Sequence, residues 1–334
     1  MMRTTLQFLK AITLTIILGN TAYMKPVKAQ QMPKLAANQL VLPSETYNIP
    51  FYWLGDSVNS GWEAHSAILI PVKLKNCPKQ FYMQFDSGSP YSLLYSSKLK
   101  AIHSKYPKAL QMTDSAIKLT DFSFKAGKMP LTAKEIVIRK MGNESINWKN
   151  RRSIEIIGTF GTDLIDGKVL IIDYPNKKMT ISENIPAELN PQLALSDFIY
   201  AGRSIMFPAT VQGKKTMLYF DSGSSRYELL TDKKTAQALA VPNTSLVQSK
   251  VKSWDRILTA NSLASNESIE IGNTSIPVHY ATYMEGASNS QVEQMMKMGI
   301  GGMTGNKIFL DYKLVLDTKN KKFGLIRSLK TLDF

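Results

Sequence analysis

The chain has 334 residues, 44% of them apolar and 9% aromatic, which is enough to fill the cores of about two globular units and excludes disorder as the main state. Lys and Arg number 41 against 26 Asp and Glu, a formal net charge of +15, but no run of five or six like charges and no basic-aromatic motif gathers that charge, so it reads as a solvated basic surface rather than a nucleic-acid site. A single cysteine, Cys77, excludes an intramolecular disulfide, and with only three histidines almost nothing remains to build a Cys/His zinc cage.

The first ten residues carry Arg3 and Lys10, residues 11–18 are an uncharged apolar run, and Val27-Lys28-Ala29 puts small residues where a signal peptidase cuts. This pattern predicts a secretory signal peptide over residues 1–29. The apolar run is well short of the roughly 20 residues that span a bilayer, so no stable membrane insertion is expected. No cysteine follows it to carry a lipid. Four of the basic residues fall in this segment with no acid, leaving +11 on the remainder. Residues 30–61 read as an N-terminal arm, as a strand joining a sheet between lobes, or as a short pro-segment.

Beyond residue 61 the local pattern is mostly β. Apolar or alternating runs at 67–74, 81–85, 135–139, 169–173, 217–220 and 276–282 are punctuated by Gly, Asn, Asp and Pro. Helices are minor, with short ones expected at 96–103, 232–239 and 290–298. Residues 186–203, with Pro186 and Pro191, form the natural connection between a first lobe at 62–185 and a second at 204–334.

That division follows from an internal repeat. Ile70-Pro71-Val72 leads through Phe81-Tyr82-Met83-Gln84-Phe85 into Asp86-Ser87-Gly88-Ser89 and then Leu93-Leu94. Phe207-Pro208-Ala209 leads through Met217-Leu218-Tyr219-Phe220 into Asp221-Ser222-Gly223-Ser224 and then Leu229-Leu230. Each half later closes alike: Gly158-Thr159-Phe160-Gly161, Leu170-Ile171-Ile172-Asp173 and Asn176-Lys177-Lys178 answer to Gly302-Met303-Thr304-Gly305, Leu314-Val315-Leu316-Asp317 and Asn320-Lys321-Lys322. One Asp-Ser-Gly-Ser is expected roughly 0.01 times in a chain of this length, so two in register with two further blocks define two related lobes. A strand that ends in Asp-Ser-Gly makes a tight loop with a carboxylate at its tip. Two such loops let a pseudo-twofold axis bring Asp86 and Asp221 face to face, where one proton is shared because both cannot ionise comfortably.

At these residues the chain resembles the pepsin-like aspartic peptidases, whose two lobes each supply an Asp-Thr/Ser-Gly-Ser/Thr loop and a later apolar-apolar-Gly segment. Thr159-Phe160-Gly161 followed by Thr162-Asp163-Leu164-Ile165 is similar to the closing segment of single-lobe retropepsin-like peptidases. Met303-Thr304-Gly305 is similar to that of a pepsin second lobe. The resemblance covers roughly residues 62 to 328. It implies a mostly β, two-lobed pepsin-like acid protease fold with pseudo-twofold related lobes, and an exported endopeptidase, periplasmic or secreted, that hydrolyses an extended peptide or protein. The catalytic pair is then Asp86 and Asp221. Ser87 and Ser222 brace the loops against each other, Ser89 and Ser224 orient the outer carboxylate oxygens, Gly88 and Gly223 shape the loops, and Gly161 and Gly305 mark the closing segments. No metal or organic cofactor, no nucleic acid and a monomeric state are expected.

Departures from the pattern accompany it. No Tyr-Gly-Thr-Gly-like flap follows the first motif, and Tyr106 and Trp254 are the aromatic candidates for a lid. The alternative reading is a catalytically inactive peptide-binding or envelope-assembly protein that uses the same two-lobed frame. No Gly-x-Ser-x-Gly elbow or His-Glu-x-x-His helix supports a serine hydrolase or a zincin. The Gly-rich segment 299–307 fits neither the dinucleotide nor the P-loop spacing, and its counterpart at 158–161 assigns it to the fold.

Overall fold

Alternation builds the two strands that lead into the repeated motif. Phe81, Met83 and Phe85 of the strand Gln80–Phe85 are buried, as are Leu218 and Phe220 of the strand Lys214–Phe220. The computed structural model describes residues 35–328 apart from 59–60, 114, 142–144, 254–255 and 287–297. The signal segment 1–29 lies outside the described residues, as does nearly all of the helix expected at 290–298.

Two β lobes and a shared sheet result. In the first lobe the strands Met129–Arg139, Leu93–Tyr95, Ile156–Phe160, Gln80–Phe85 and Gly61–Leu74 are neighbours in that order, and Lys118–Ala126 pairs with both end members, closing the sheet on itself. The second lobe repeats the plan. Tyr280–Glu285, Leu229–Leu230, Ile300–Thr304, Lys214–Phe220 and Ser204–Val211 follow one another with the same senses. In each lobe the strand before the motif runs parallel to the closing strand, with a register shift at the same place, Tyr82/Met83 in one and Met217/Leu218 in the other.

A six-stranded sheet joins the halves. Val169–Asp173 pairs antiparallel with Tyr312–Asp317, and Ile171 stands opposite Val315, its own counterpart in the repeat. Leu170 opposite Leu316 and Ile172 opposite Leu314 follow from that pairing, so the pseudo-twofold axis passes between Ile171 and Val315. The flanking turns are copies as well. Asp173 accepts hydrogen bonds from the backbone and side-chain amides of Asn176, Asp317 does the same for Asn320, and Lys177 and Lys321 take left-handed backbone angles.

The described residues of 30–61 include the strands Leu40–Val41, which pairs with Met129–Arg139, Tyr47–Pro50, which adds to the shared sheet beside Lys178–Ser182, and Tyr52–Val58, which forms a hairpin with Gly61–Leu74. Of the three readings of this segment, the strand that joins a sheet between the lobes is the one found for Tyr47–Pro50. The connection 186–203 carries a 3-10 turn and the short strands Ser196–Asp197 and Ile199–Ala201. The run 276–282 is broken, with strands at Thr274–Pro277 and Tyr280–Glu285. Between them the His279 amide donates to the buried Glu228 carboxylate instead of to a neighbouring strand. Helices form at Ser96–Lys105 and Lys233–Leu239, the second capped by Asp232, whose side chain accepts from the Thr235 amide at 3.1 Å.

Candidate active site

Each motif aspartate sits at the end of an inward-alternating strand and is fixed by the strand beside it. The Asp86 amide donates to the Phe160 carbonyl at 2.9 Å, and the Asp221 amide donates to the Thr304 carbonyl at 2.9 Å. Each carboxylate then folds back onto its own loop, Oδ1 of Asp86 accepting from the Gly88 amide at 2.9 Å and Oδ1 of Asp221 from the Gly223 amide at 2.8 Å.

The serines that follow tie the loops together. The Ser87 amide donates to the Ser222 hydroxyl and the Ser222 amide to the Ser87 hydroxyl, both at 2.8 Å. The Ser87 hydroxyl in turn donates to the Phe220 carbonyl at 3.0 Å and that of Ser222 to the Phe85 carbonyl at 3.1 Å. All four bonds are buried and exchange between the lobes, so neither loop can shift without breaking bonds to the other.

This lock sets the carboxyl groups against each other. Asp86 and Asp221 are both buried, and their side chains share a hydrogen bond. Burial pushes the pKa of Asp221 above the ordinary carboxylate range, opposed in part by the Ser224 hydroxyl, by Asp86 and by the amides of Gly223 and Ser224. A pair of this kind holds one proton between two carboxyls, and so can accept a proton at one oxygen while donating from another.

The loops differ in one respect. The Ser224 hydroxyl donates to Oδ2 of Asp221 at 2.8 Å, as expected, but the Ser89 hydroxyl donates to the Tyr91 carbonyl at 2.7 Å. The sequence explains this departure. Ser222–Ser224 forms a 3-10 turn, whereas Ser89 precedes Pro90, whose ring disfavours helical angles at the residue before it.

The closing segments seal the loops from behind. A Cβ on Gly161 would lie 2.6 Å from the Ser89 carbonyl, and one on Gly305 would be closer still to the Ser224 carbonyl. After these glycines the lobes diverge. Asn306 is fully buried and donates to the Ser222 carbonyl at 3.0 Å and to the Ser225 hydroxyl at 2.9 Å, while it accepts from the Tyr174 hydroxyl at 2.8 Å. Its counterpart Thr162 donates to the Arg203 carbonyl at 2.8 Å.

The sequence matches no family model and no curated protein. Among solved structures, the aspartic proteinase from Irpex lacteus is similar at 10% identity, with 86% of this chain and 99% of that chain covered and a TM-score of 0.48.

Two aromatic hydroxyls near the dyad were not singled out by sequence reasoning. Tyr219 lies two residues before Asp221, on the same face of its strand, and its hydroxyl is pushed to a higher pKa by burial and then by the charge of Asp221, with a lesser effect of Asp86. The period-2 rule applied backward from the aspartate identifies it. Tyr95, raised to about 12 by burial, shares a 2.7 Å hydrogen bond with Thr159 and feels the charge of Asp86. No local pattern marks Tyr95, because it meets the site across two strands. Of the lid candidates, Tyr106 packs edge-on against Trp148, which packs on Phe81, and Trp254 lies outside the described residues.

Proposed function

We propose that the chain is an exported aspartic endopeptidase. The observation that carries this reading is the reciprocal Ser87–Ser222 exchange, which holds two buried aspartates from loops of the same Asp-Ser-Gly-Ser sequence in hydrogen-bonding contact. A lone turn aspartate has no need of such a lock, whereas a dyad that shares a proton depends on it. In the reaction the ionised carboxylate takes a proton from a water molecule as its oxygen attacks the peptide carbonyl, and the protonated carboxyl donates to the carbonyl oxygen. As the tetrahedral diol collapses, the proton now on the pair passes to the leaving nitrogen while the other carboxylate takes one from a diol hydroxyl, so the C–N bond breaks to an amine and a carboxylic acid, the pair again holds one proton, and no covalent enzyme intermediate forms. Both aspartates come from one polypeptide, so a single chain carries the dyad. The substrate is an extended peptide laid between the lobes, and the predicted signal segment accounts for export.

The test is hydrolysis of a mixed peptide library by the chain from residue 30 onward, between acid and neutral pH, beside Asp86→Asn and Asp221→Asn. Cleavage lost in both variants supports the dyad. A folded protein that retains peptides and cuts none at any pH overturns the enzyme in favour of a binding protein on the same frame.

A further inference from the structure

Two arginines flank the motif loops, and they are satisfied very differently. Arg203, on the first-loop side, donates from Nε and Nη2 to Oδ2 of Asp166 at 2.9 and 2.8 Å and lies over the Tyr91 ring. Arg226, five residues after Asp221, has an Nη1 that is buried with no hydrogen-bond partner, and its Nη2 stands 3.9 Å from Asp56, beyond hydrogen-bonding distance. A guanidinium presents five donors, and leaving one buried and unmatched is costly unless something else uses it.

The surroundings define what that would be. Asp56 and Glu63 stand opposite each other on the hairpin formed by Tyr52–Val58 and Gly61–Leu74, which packs against the 3-10 turn Ser222–Ser224. Glu63 is already committed to Lys307 at 2.9 Å, and the Lys307 amide donates to the Ser225 carbonyl, which fixes it beside the same loop. Two cations therefore adjoin the second motif loop. One is neutralised at close range, and the other retains donor capacity. The neighbouring Tyr227 is buried with its hydroxyl unpartnered too, beneath the arginine that lies over its ring. Arg226 answers to Tyr91 in the repeat, so this charge belongs to one side of the pseudo-twofold and gives the site a direction.

We propose that Arg226, supported by Lys307, is a recognition site for a carboxylate of the peptide, carried by an acidic side chain at one position on one side of the dyad. It rests on the reading that peptides bind beside Asp86 and Asp221. Arg226 is a specificity residue in this assignment, not a catalytic one. The side chain keeps 13% of its surface exposed, and a turn about its terminal torsions brings a planar fork of N–H groups to a carboxylate in the geometry that lysine cannot match.

The test separates recognition from cleavage. Asp221→Asn protein, which cannot cut, is immobilised and exposed to dodecapeptide pools carrying Glu or Gln at each position in turn, each made with a free and with an amidated C-terminus. At one position Glu is expected to be retained at least tenfold over Gln, irrespective of the C-terminus. Adding Arg226→Gln should abolish that preference, Arg226→Lys should keep part of it, and Asp56→Asn, which removes the competing acid and leaves the arginine in place, should strengthen it. Equal retention of Glu and Gln pools, retention of no peptide, or a Glu preference that survives Arg226→Gln overturns the proposal. A preference that follows the free C-terminus instead overturns the side-chain assignment in favour of a chain-end site. The same pools offered to the unmodified protein report cleavage independently: a Glu preference without any cleavage sinks the peptidase reading and leaves the carboxylate site standing.

Discussion

Gly223 stands so close to Asp86 that a Cβ on it would lie 2.5 Å from Oδ1 and 2.7 Å from Cγ of that carboxyl group, although the two residues belong to different lobes. Gly88 faces Asp221 in the same way, at 2.6 and 2.8 Å. Neither glycine needs a left-handed backbone; each is required by space. Gly223→Ala is therefore expected to push the carboxyl groups apart while the serine exchange keeps the lobes together. A displacement of this order costs about a hundredfold in kcat/KM. Peptide hydrolysis measured beside thermal unfolding checks this, and an alanine variant with unchanged turnover would show that the loops yield without disturbing the dyad.

Ser87 and Ser222 act as a unit. Ser87→Ala removes the acceptor of the Ser222 amide and the donor to the Phe220 carbonyl, both in buried surroundings. Each single alanine is expected to cost about 1–3 kcal/mol. The double variant should cost less than the sum, because either change alone already frees both loops. Urea unfolding of the four-member cycle measures the coupling, and strict additivity would mean that the two hydroxyls are independent.

The dyad makes a directional claim about pH. Burial raises the pKa of Asp221, so the pair keeps its shared proton above the pH at which ordinary carboxyls lose theirs. The proposed hydrolysis needs one proton on the pair. The rate should thus be high in acid and fall as pH rises through that raised pKa, with a second fall at low pH where both carboxyls are protonated. Asp86→Asn and Asp221→Asn should each reduce kcat/KM by about a thousandfold or more. A rate that climbs steadily from pH 4 to 8 would exclude the dyad as the source of activity.

How much of this could be read from the residues depends on whether a contact leaves a local signature. The loops did so, because a carboxylate at a strand tip with glycine two residues on has few substitutes, and the turn after Asp173 was repeated after Asp317 for the same reason. For Tyr47–Pro50 the sequence leaves a strand as one of three readings, since its partner Lys178–Ser182 lies some 130 residues away and pairing at that range leaves no pattern in either strand. Met129–Arg139 was visible only over its last five residues. Pro130 and the short side chains after it obscure the alternation that burial of Met129, Leu131 and Ala133 supplies. The buried Asn306 was hidden by asymmetry, because its counterpart is Thr162 and a repeat shows only what both halves keep.

Asp163 extends the site into a measurable dependence of stability on pH. It sits in the 3-10 turn Thr162–Ile165 just after Gly161, buried, and accepts from the Ser92 amide at 2.7 Å and the Ser92 hydroxyl at 2.6 Å. The same hydroxyl accepts from the Gly161 amide at 3.1 Å, so Asp163 anchors the closing segment behind the first loop. Burial raises its pKa from 3.8 to about 6, against the pull of the two Ser92 bonds and of Arg203. Below 3.8 the group is protonated in both folded and unfolded chains. Between 3.8 and 6 the unfolded chain releases the proton and the folded one holds it, so stability falls as pH rises, by about 3 kcal/mol in all. Above that window the loss is complete. Asp163→Asn removes the titration, so the difference in unfolding free energy between the two proteins should shift in favour of the variant as pH rises from 4 to 6 and then stay level. Because Asp221 contributes a slope of the same sign in both proteins, only the difference is diagnostic. Parallel stability curves for the two proteins in urea across pH 3.5 to 7 would mean that Asp163 keeps an ordinary carboxylate pKa in the folded protein and that the Ser92 bonds offset its burial.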